Sequence, residues 1–246
     1  MIKNKYIAPL FLALLPVMLP ASQRYQQPSL STVKFSTACG LPFFTHEGKK
    51  YFILSREAGG SDKGTYDDFG GKRDPGENHP IISSAREFWE EAILPCVGFS
   101  SAVETQKFIN PASNNTLLVI SFGQSVTYVV DFTLYKDEFF KKFYDARNKA
   151  RGHFREKDRI AIVEWDMLKG IIAKKGGNLN NVKLTTAVLN PKDLKWYQEE
   201  ITLRPYFVKK MKSFATDSNY VQGENDKIRF YGLPRSKYKH ISGKTI

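Results

Sequence analysis

The stretch Gly70-Gly71-Lys72-Arg73-Asp74-Pro75-Gly76-Glu77-Asn78-His79-Pro80-Ile81-Ile82-Ser83-Ser84-Ala85-Arg86-Glu87-Phe88-Trp89-Glu90-Glu91-Ala92-Ile93-Leu94 decides how this chain is read. A Gly/Pro-rich loop runs straight into an amphipathic segment, and the periodicity predicts a helix over 80–94. Pro80 suits the first helical position, where its missing N–H costs nothing, and Asn78 or His79 stands where a cap is wanted. Ile81, Ala85, Phe88 and Ala92 form one stripe, assigned to the core. Glu87, Glu90 and Glu91 then share another face at i, i+3 and i+4 spacing.

Like charges at that spacing repel and weaken a helix by about 0.2–0.5 kcal/mol per pair, so something should offset them. A hard divalent cation would, because Mg²⁺ and Mn²⁺ prefer carboxylate, carbonyl and water oxygens. Glu77, one loop away, can lean toward the same place. Arg86 can hold a carboxylate by paired hydrogen bonds. Glycines at 70, 71 and 76 let the backbone approach a ligand closely, which favours this reading over a merely solvated acidic face.

These residues resemble the Nudix box, G-x5-E-x7-R-E-U-x-E-E-x-G-U, where U is a bulky aliphatic residue. Gly71 to Glu77 keeps the family spacing, and Arg86-Glu87-Phe88-Trp89-Glu90-Glu91 supplies the core, with Phe88 as U. The chain departs in two places: eight residues rather than seven separate Glu77 from Arg86, and Ile93 stands where the last glycine belongs. Pro80 keeps the spacing to Arg86 that family members often show, so the insertion falls in Asn78-His79. The register of Arg86, Glu87, Glu90 and Glu91 is thereby intact, the position of Glu77 is left open, and Pro95 is expected to end the helix.

The resemblance implies an α/β fold, an α/β/α sandwich with a mixed sheet in a single domain. It also implies metal-dependent hydrolysis, with Mg²⁺ or Mn²⁺, of the pyrophosphate bond in a nucleoside diphosphate linked to another moiety, of the ADP-ribose or dinucleotide type. Glu87 and Glu91 would be the principal metal ligands, Glu90 would assist, Gly71 would offer its carbonyl and Glu77 would bind through water. Glu87 is one candidate general base. Many members use a glutamate from a distant loop instead, and Glu156 and Asp158 are the candidates here, against a plainer reading in which they pair with Arg155, Lys157 or Arg159. Two other functions fit the same residues: a nucleotide-binding module that has lost turnover, and an RNA cap pyrophosphohydrolase.

Outward from the box, strand-like segments recur at 33–39, 50–56, 116–122, 126–134, 159–165 and 182–189, separated by turn-prone stretches such as Glu47-Gly48. Helical periodicity appears at 136–150 and 206–213, with a short turn of helix at Met167–Ala173. No repeat or linker divides 33–213, so this order points to one sheet flanked by helices. Phe69, Tyr128 and Trp196 could stack a base or belong to the core.

The formal charge of +12 suggests a polyanionic partner until it is located. Residues 1–32 hold three basic residues and no acid, 204–246 hold ten basic against three acidic, and the middle is nearly balanced. Lys3 and Lys5 precede an apolar run over 6–19, read within 1–22 as a signal peptide for export or, failing cleavage, a membrane anchor. Residues 214–246 read as a basic, flexible tail whose Arg229, Arg235, Lys237 and Lys239 are the route by which a nucleic acid would bind. Export argues against the cap-removing function. Cys39 and Cys96 are expected as two unpaired thiols, one long-range disulfide being open to an exported chain. Around the box, residues 62–91 carry eight acidic against four basic residues.

Overall fold

Strand β1 (Thr37–His46) is the hub of the molecule. Its second half turns through Glu47-Gly48, both with positive φ, into an antiparallel hairpin with β2 (Lys49–Glu57), the backbone that a two-residue hairpin loop demands. Its first half pairs antiparallel with β4 (Phe69–Lys72), which follows the short β3 (Thr65–Asp67). Over Thr37–Phe43, β1 also runs parallel to β6 (Ser125–Asp131), which pairs antiparallel with β5 (Thr116–Phe122). In this computed structural model the described residues are 34–113, 115–174, 179–216, 220–222 and 229–231.

The sheet continues from β2 to β7 (Lys157–Glu164), β8 (Val182–Leu189) and β9 (Trp196–Leu203), and β9 returns to lie parallel to β3. Helices cover both faces. Against one pack α1 (Pro80–Glu91), α2 (Ala102–Phe108) and α3 (Lys136–Lys149), around Phe69, Phe88, Phe108, Phe132, Phe139 and Phe143. Against the other pack α4 (Trp165–Lys174) and α5 (Pro205–Thr216), through Leu168, Ile172, Phe207, Val208 and Met211. Parallel and antiparallel pairs in one sheet with apolar clusters on both sides make an α/β/α sandwich with a mixed sheet, because each amphipathic helix needs an apolar face to cover.

The expected strands at 116–122 and 182–189 and the helix from 136 are found within a residue. Beyond α5 two short strands, β10 (Tyr220–Gln222) and β11 (Arg229–Tyr231), pair with each other, and β11 lies parallel to β5 at the sheet edge. The apolar run over 6–19 and the basic residues Arg235, Lys237 and Lys239 lie outside the described residues. Among the described residues no helix is long and apolar enough to cross a membrane. Cys39 is buried, Cys96 is half-buried and both are free thiols.

Candidate active site

Helix α1 starts where the sequence places it. The His79 side chain caps it by accepting from the Ile81 N–H at 3.2 Å, and Pro80 is the first helical residue. The stripe Ile81, Ala85, Phe88 and Ala92 is buried against β1. The helix lies close because Gly40 offers no side chain: a Cβ there would come within 2.5 Å of the Phe88 ring. The Ser84 hydroxyl donates to the Cys39 carbonyl at 2.7 Å and locks the rotation. That rotation turns Glu87, Glu90 and Glu91 toward β4 and a cleft of about 920 Å³ lined also by Gly70, Gly71, Asp67, Asp68, Arg86 and Glu156.

The helix ends earlier than expected and by another device. It stops at Glu91, and Ile93 adopts the left-handed conformation (φ 52°, ψ 47°), while Pro95 falls in the following 3₁₀ turn Leu94–Val97. The terminator is therefore the backbone at Ile93, and Pro95 only prevents resumption.

Arg86 organises one side of the cleft. Its guanidinium donates to Glu77 Oε1 at 2.9 Å, to Glu87 Oε1 at 2.8 Å and to the Lys72 carbonyl at 2.9 Å, and it reaches Glu90 at 3.4 Å. Glu77 is held further by Ser83 Oγ at 2.6 Å and the Asp74 N–H at 2.9 Å. The inserted residue thus leaves Glu77 in reach of Arg86, yet Glu77 faces the arginine and is not among the cleft-lining residues. Burial alone would raise its pKa, but the bonds from Arg86 and Ser83 outweigh this and hold it below the usual carboxylate value.

Glu87 behaves oppositely. Burial pushes its pKa up to about 6, with Arg86 opposing and repulsion from Glu90 and Glu156 adding to the rise. Glu156 lies in the cleft, its Oε1 paired with His153 Nδ1 at 2.7 Å. Asp158 is elsewhere: Arg56 takes both its oxygens at 2.8 Å, and it does not line the cleft. Its partner is an arginine far away in sequence, where a neighbour was expected, because the strand pairing sets Arg56 beside the β7 backbone.

Behind the inner end of the cleft lies a set of ion pairs that the sequence did not reveal. Lys157 is fully buried, with Nζ 2.5 Å from Glu57, 3.1 Å from Asp67 and 3.5 Å from Glu91 Oε1. Arg204 donates to Asp67 at 2.8 Å and Asp62 at 2.6 Å. Lys210 is buried against Asp68 and donates to Thr127 Oγ1 at 2.8 Å. Glu91 Oε2 accepts from the Gly70 N–H at 2.5 Å. The hint in sequence was Asp67-Asp68 between the apolar Tyr66 and Phe69, a pair of acids inside a strand pattern. Phe69 and Tyr128 are core residues, and Trp196 packs on Phe140 away from the cleft, so none of the three is placed to stack a base there.

Among the described residues no three His, Cys, Asp or Glu side chains already converge as a metal centre. Arg86 draws one set of carboxylates to itself and Lys157 draws the other. Glu87, Glu90 and Glu156 each engage one oxygen in these hydrogen bonds and keep the second available, as Glu57 and Asp68 also do beside their lysines; carboxylate oxygens of this kind are hard donors that fit Mg²⁺ or Mn²⁺. Gly71 stands against this group so closely that a Cβ would lie 2.5 Å from Glu87 Oε1.

No model of a known protein family matches the chain, and no curated protein matches it. Among solved structures it is similar to a MutT/nudix family protein from Enterococcus faecalis, at 13% identity and a TM-score of 0.36, over 78% of this chain and 66% of that one.

Proposed function

We propose that the chain is a metal-dependent hydrolase of the Nudix type, splitting the pyrophosphate bond of a nucleoside diphosphate joined to another moiety. One observation carries the reading: the box carboxylates Glu87 and Glu90, oriented by Arg86, open with Glu156 onto one acidic cleft beside the close-packed Gly71. Glu87 and Glu90 would hold Mg²⁺ or Mn²⁺, which supplies charge neutralisation on the phosphates and a more acidic attacking water. Arg86 fixes the ligands in advance, so no reorganisation is needed when charge develops. Glu156, with one oxygen occupied by His153, has the other available to take the proton of the attacking water. Lys72, Arg204 and Lys209 also line the cleft and would meet the remaining negative charge of such a substrate.

The test is a panel of nucleoside diphosphate derivatives incubated with Mg²⁺ or Mn²⁺. Release of a nucleoside monophosphate that needs metal and disappears in Glu87→Gln supports the reading, and no turnover of any member overturns it. A second reading, nucleotide binding without turnover, is favoured by one contact, Lys157 on Glu91. It predicts heat of nucleotide binding in calorimetry with no product.

A further inference from the structure

Two groups of carboxylates meet in the cleft, and they differ in what already neutralises them. The outer group, Glu87, Glu90 and Glu156, keeps one oxygen of each open. The inner group, Glu57, Asp67 and Glu91, surrounds the ammonium of Lys157, a side chain with no solvent exposure. Arg204 adds a second cation at 2.8 Å from Asp67 and 3.6 Å from Glu57. Both Glu91 oxygens have partners, Lys157 on one and the Gly70 N–H on the other. The lysine is itself fixed, since it begins β7 and its carbonyl accepts from Arg147 Nε at 2.7 Å. A divalent ion among the inner three would stand against this ammonium with no water between, a repulsion that the low local dielectric makes severe.

We infer that Lys157 is a built-in cation for Glu57, Asp67 and Glu91, standing where a metal ion would otherwise sit, so that the cleft accepts a single divalent ion, on the outer carboxylates. Glu91 is then the counter-ion of Lys157 and not a metal ligand. The outer ion rests on the function proposed above; the role of Lys157 at the inner group does not. A methionine at 157 fills similar volume without charge and leaves three carboxylates uncompensated, a set of hard oxygens that a metal can satisfy.

The experiment combines Mn²⁺ titration, read by calorimetry and by the paramagnetic resonance of free Mn²⁺, with thermal unfolding in EDTA and in Mn²⁺. For the native chain one ion per molecule is expected, with affinity unchanged in Glu91→Gln and weakened by about tenfold or more in Glu87→Gln. Lys157→Met is expected to bind one ion more than the native chain and to have a melting temperature that rises with Mn²⁺ far more steeply, because a ligand that binds only the folded state stabilises it. Two ions on the native chain, or a Glu91→Gln affinity reduced by about tenfold, overturn the inference. So does a Lys157→Met protein that gains no ion or stays unfolded in millimolar Mn²⁺. A native chain that binds no Mn²⁺ defeats the proposed metal-dependent function alone, and the gain of an ion by Lys157→Met still supports the inner role of Lys157.

Discussion

Gly71 and Glu87 are packed so that no side chain fits between them: a Cβ on Gly71 would fall 2.5 Å from the Glu87 carboxylate. The carboxylate cannot swing away freely because Arg86 holds it at 2.8 Å. Gly71→Ala should therefore displace Glu87 by a fraction of an ångström to an ångström and reduce turnover by about 10²-fold. Gly70→Ala is a different lesion, because its Cβ would meet the backbone and Sγ of Cys39 at 2.6 and 2.3 Å. It should cost about 1–3 kcal/mol in stability. Urea unfolding separates the two: a Gly71→Ala protein as destabilised as Gly70→Ala would show that the site geometry was not what the glycine protects.

Arg86→Lys tests whether the planar fork matters. One ammonium cannot reach Glu77, Glu87 and the Lys72 carbonyl together, so turnover should fall by about 10–100-fold even with charge retained. Acid stability should respond too. Glu77 is depressed below its ordinary value, so its contribution is present above about pH 4.5 and is lost as pH falls through the folded value. Weakening the arginine contact raises the folded value. The acid-unfolding midpoint of Arg86→Lys, followed by circular dichroism, should move upward; an unmoved midpoint would deny Arg86 its hold on Glu77.

The arginine constellation was legible in sequence because its parts are local. Arg86, Glu87 and Glu90 belong to one helix whose register follows from the stripe Ile81, Ala85, Phe88 and Ala92, and Glu77 lies nine residues from Arg86. The inner cluster was not, since Lys157 meets Asp67 across 90 residues and Lys210 meets Asp68 across 142. Only strand pairing brings those together. Strand β9 was missed for a related reason: Trp196, Tyr197 and Gln198 are exposed, so the apolar alternation is confined to Ile201 and Leu203. Ile93 was visible as a departure from the box, but its left-handed backbone was not.

Metal-free protein should lose stability as pH rises through the range set by Glu87. Its pKa rises from 4.5 to about 6 on folding, so the native state holds the proton more tightly. The associated stability is present below pH 4.5 and disappears as pH passes about 6. Glu87→Gln removes this dependence. In EDTA the variant should gain on the native chain by about 1 kcal/mol between pH 4.5 and pH 7, less than the full shift because the buried carboxylate borders the cleft, where solvent screens it. Urea unfolding at both pH values measures it, and an equal difference at the two would remove Glu87 as the titrating group.

Ile93 holds a conformation that favours glycine, at φ 52°, while its side chain is only 4% exposed. Two effects oppose each other there. Burial of the isoleucine side chain is worth about 1.5–3 kcal/mol, and the left-handed backbone costs a residue with a Cβ about 1–2 kcal/mol. Burial wins, which explains how an isoleucine persists at the end of α1. Both Ile93→Ala and Ile93→Gly should thus be less stable than the native chain, since each gives up most of the buried surface. Their order is the informative part. In a helix interior glycine is worse than alanine by about 1 kcal/mol. At Ile93 alanine keeps the strain and glycine relieves it, so the glycine variant should be the more stable of the two by about 0.5–1 kcal/mol. Paired urea titrations decide the matter, and alanine emerging as the better residue would mean that the left-handed turn is not what ends the helix.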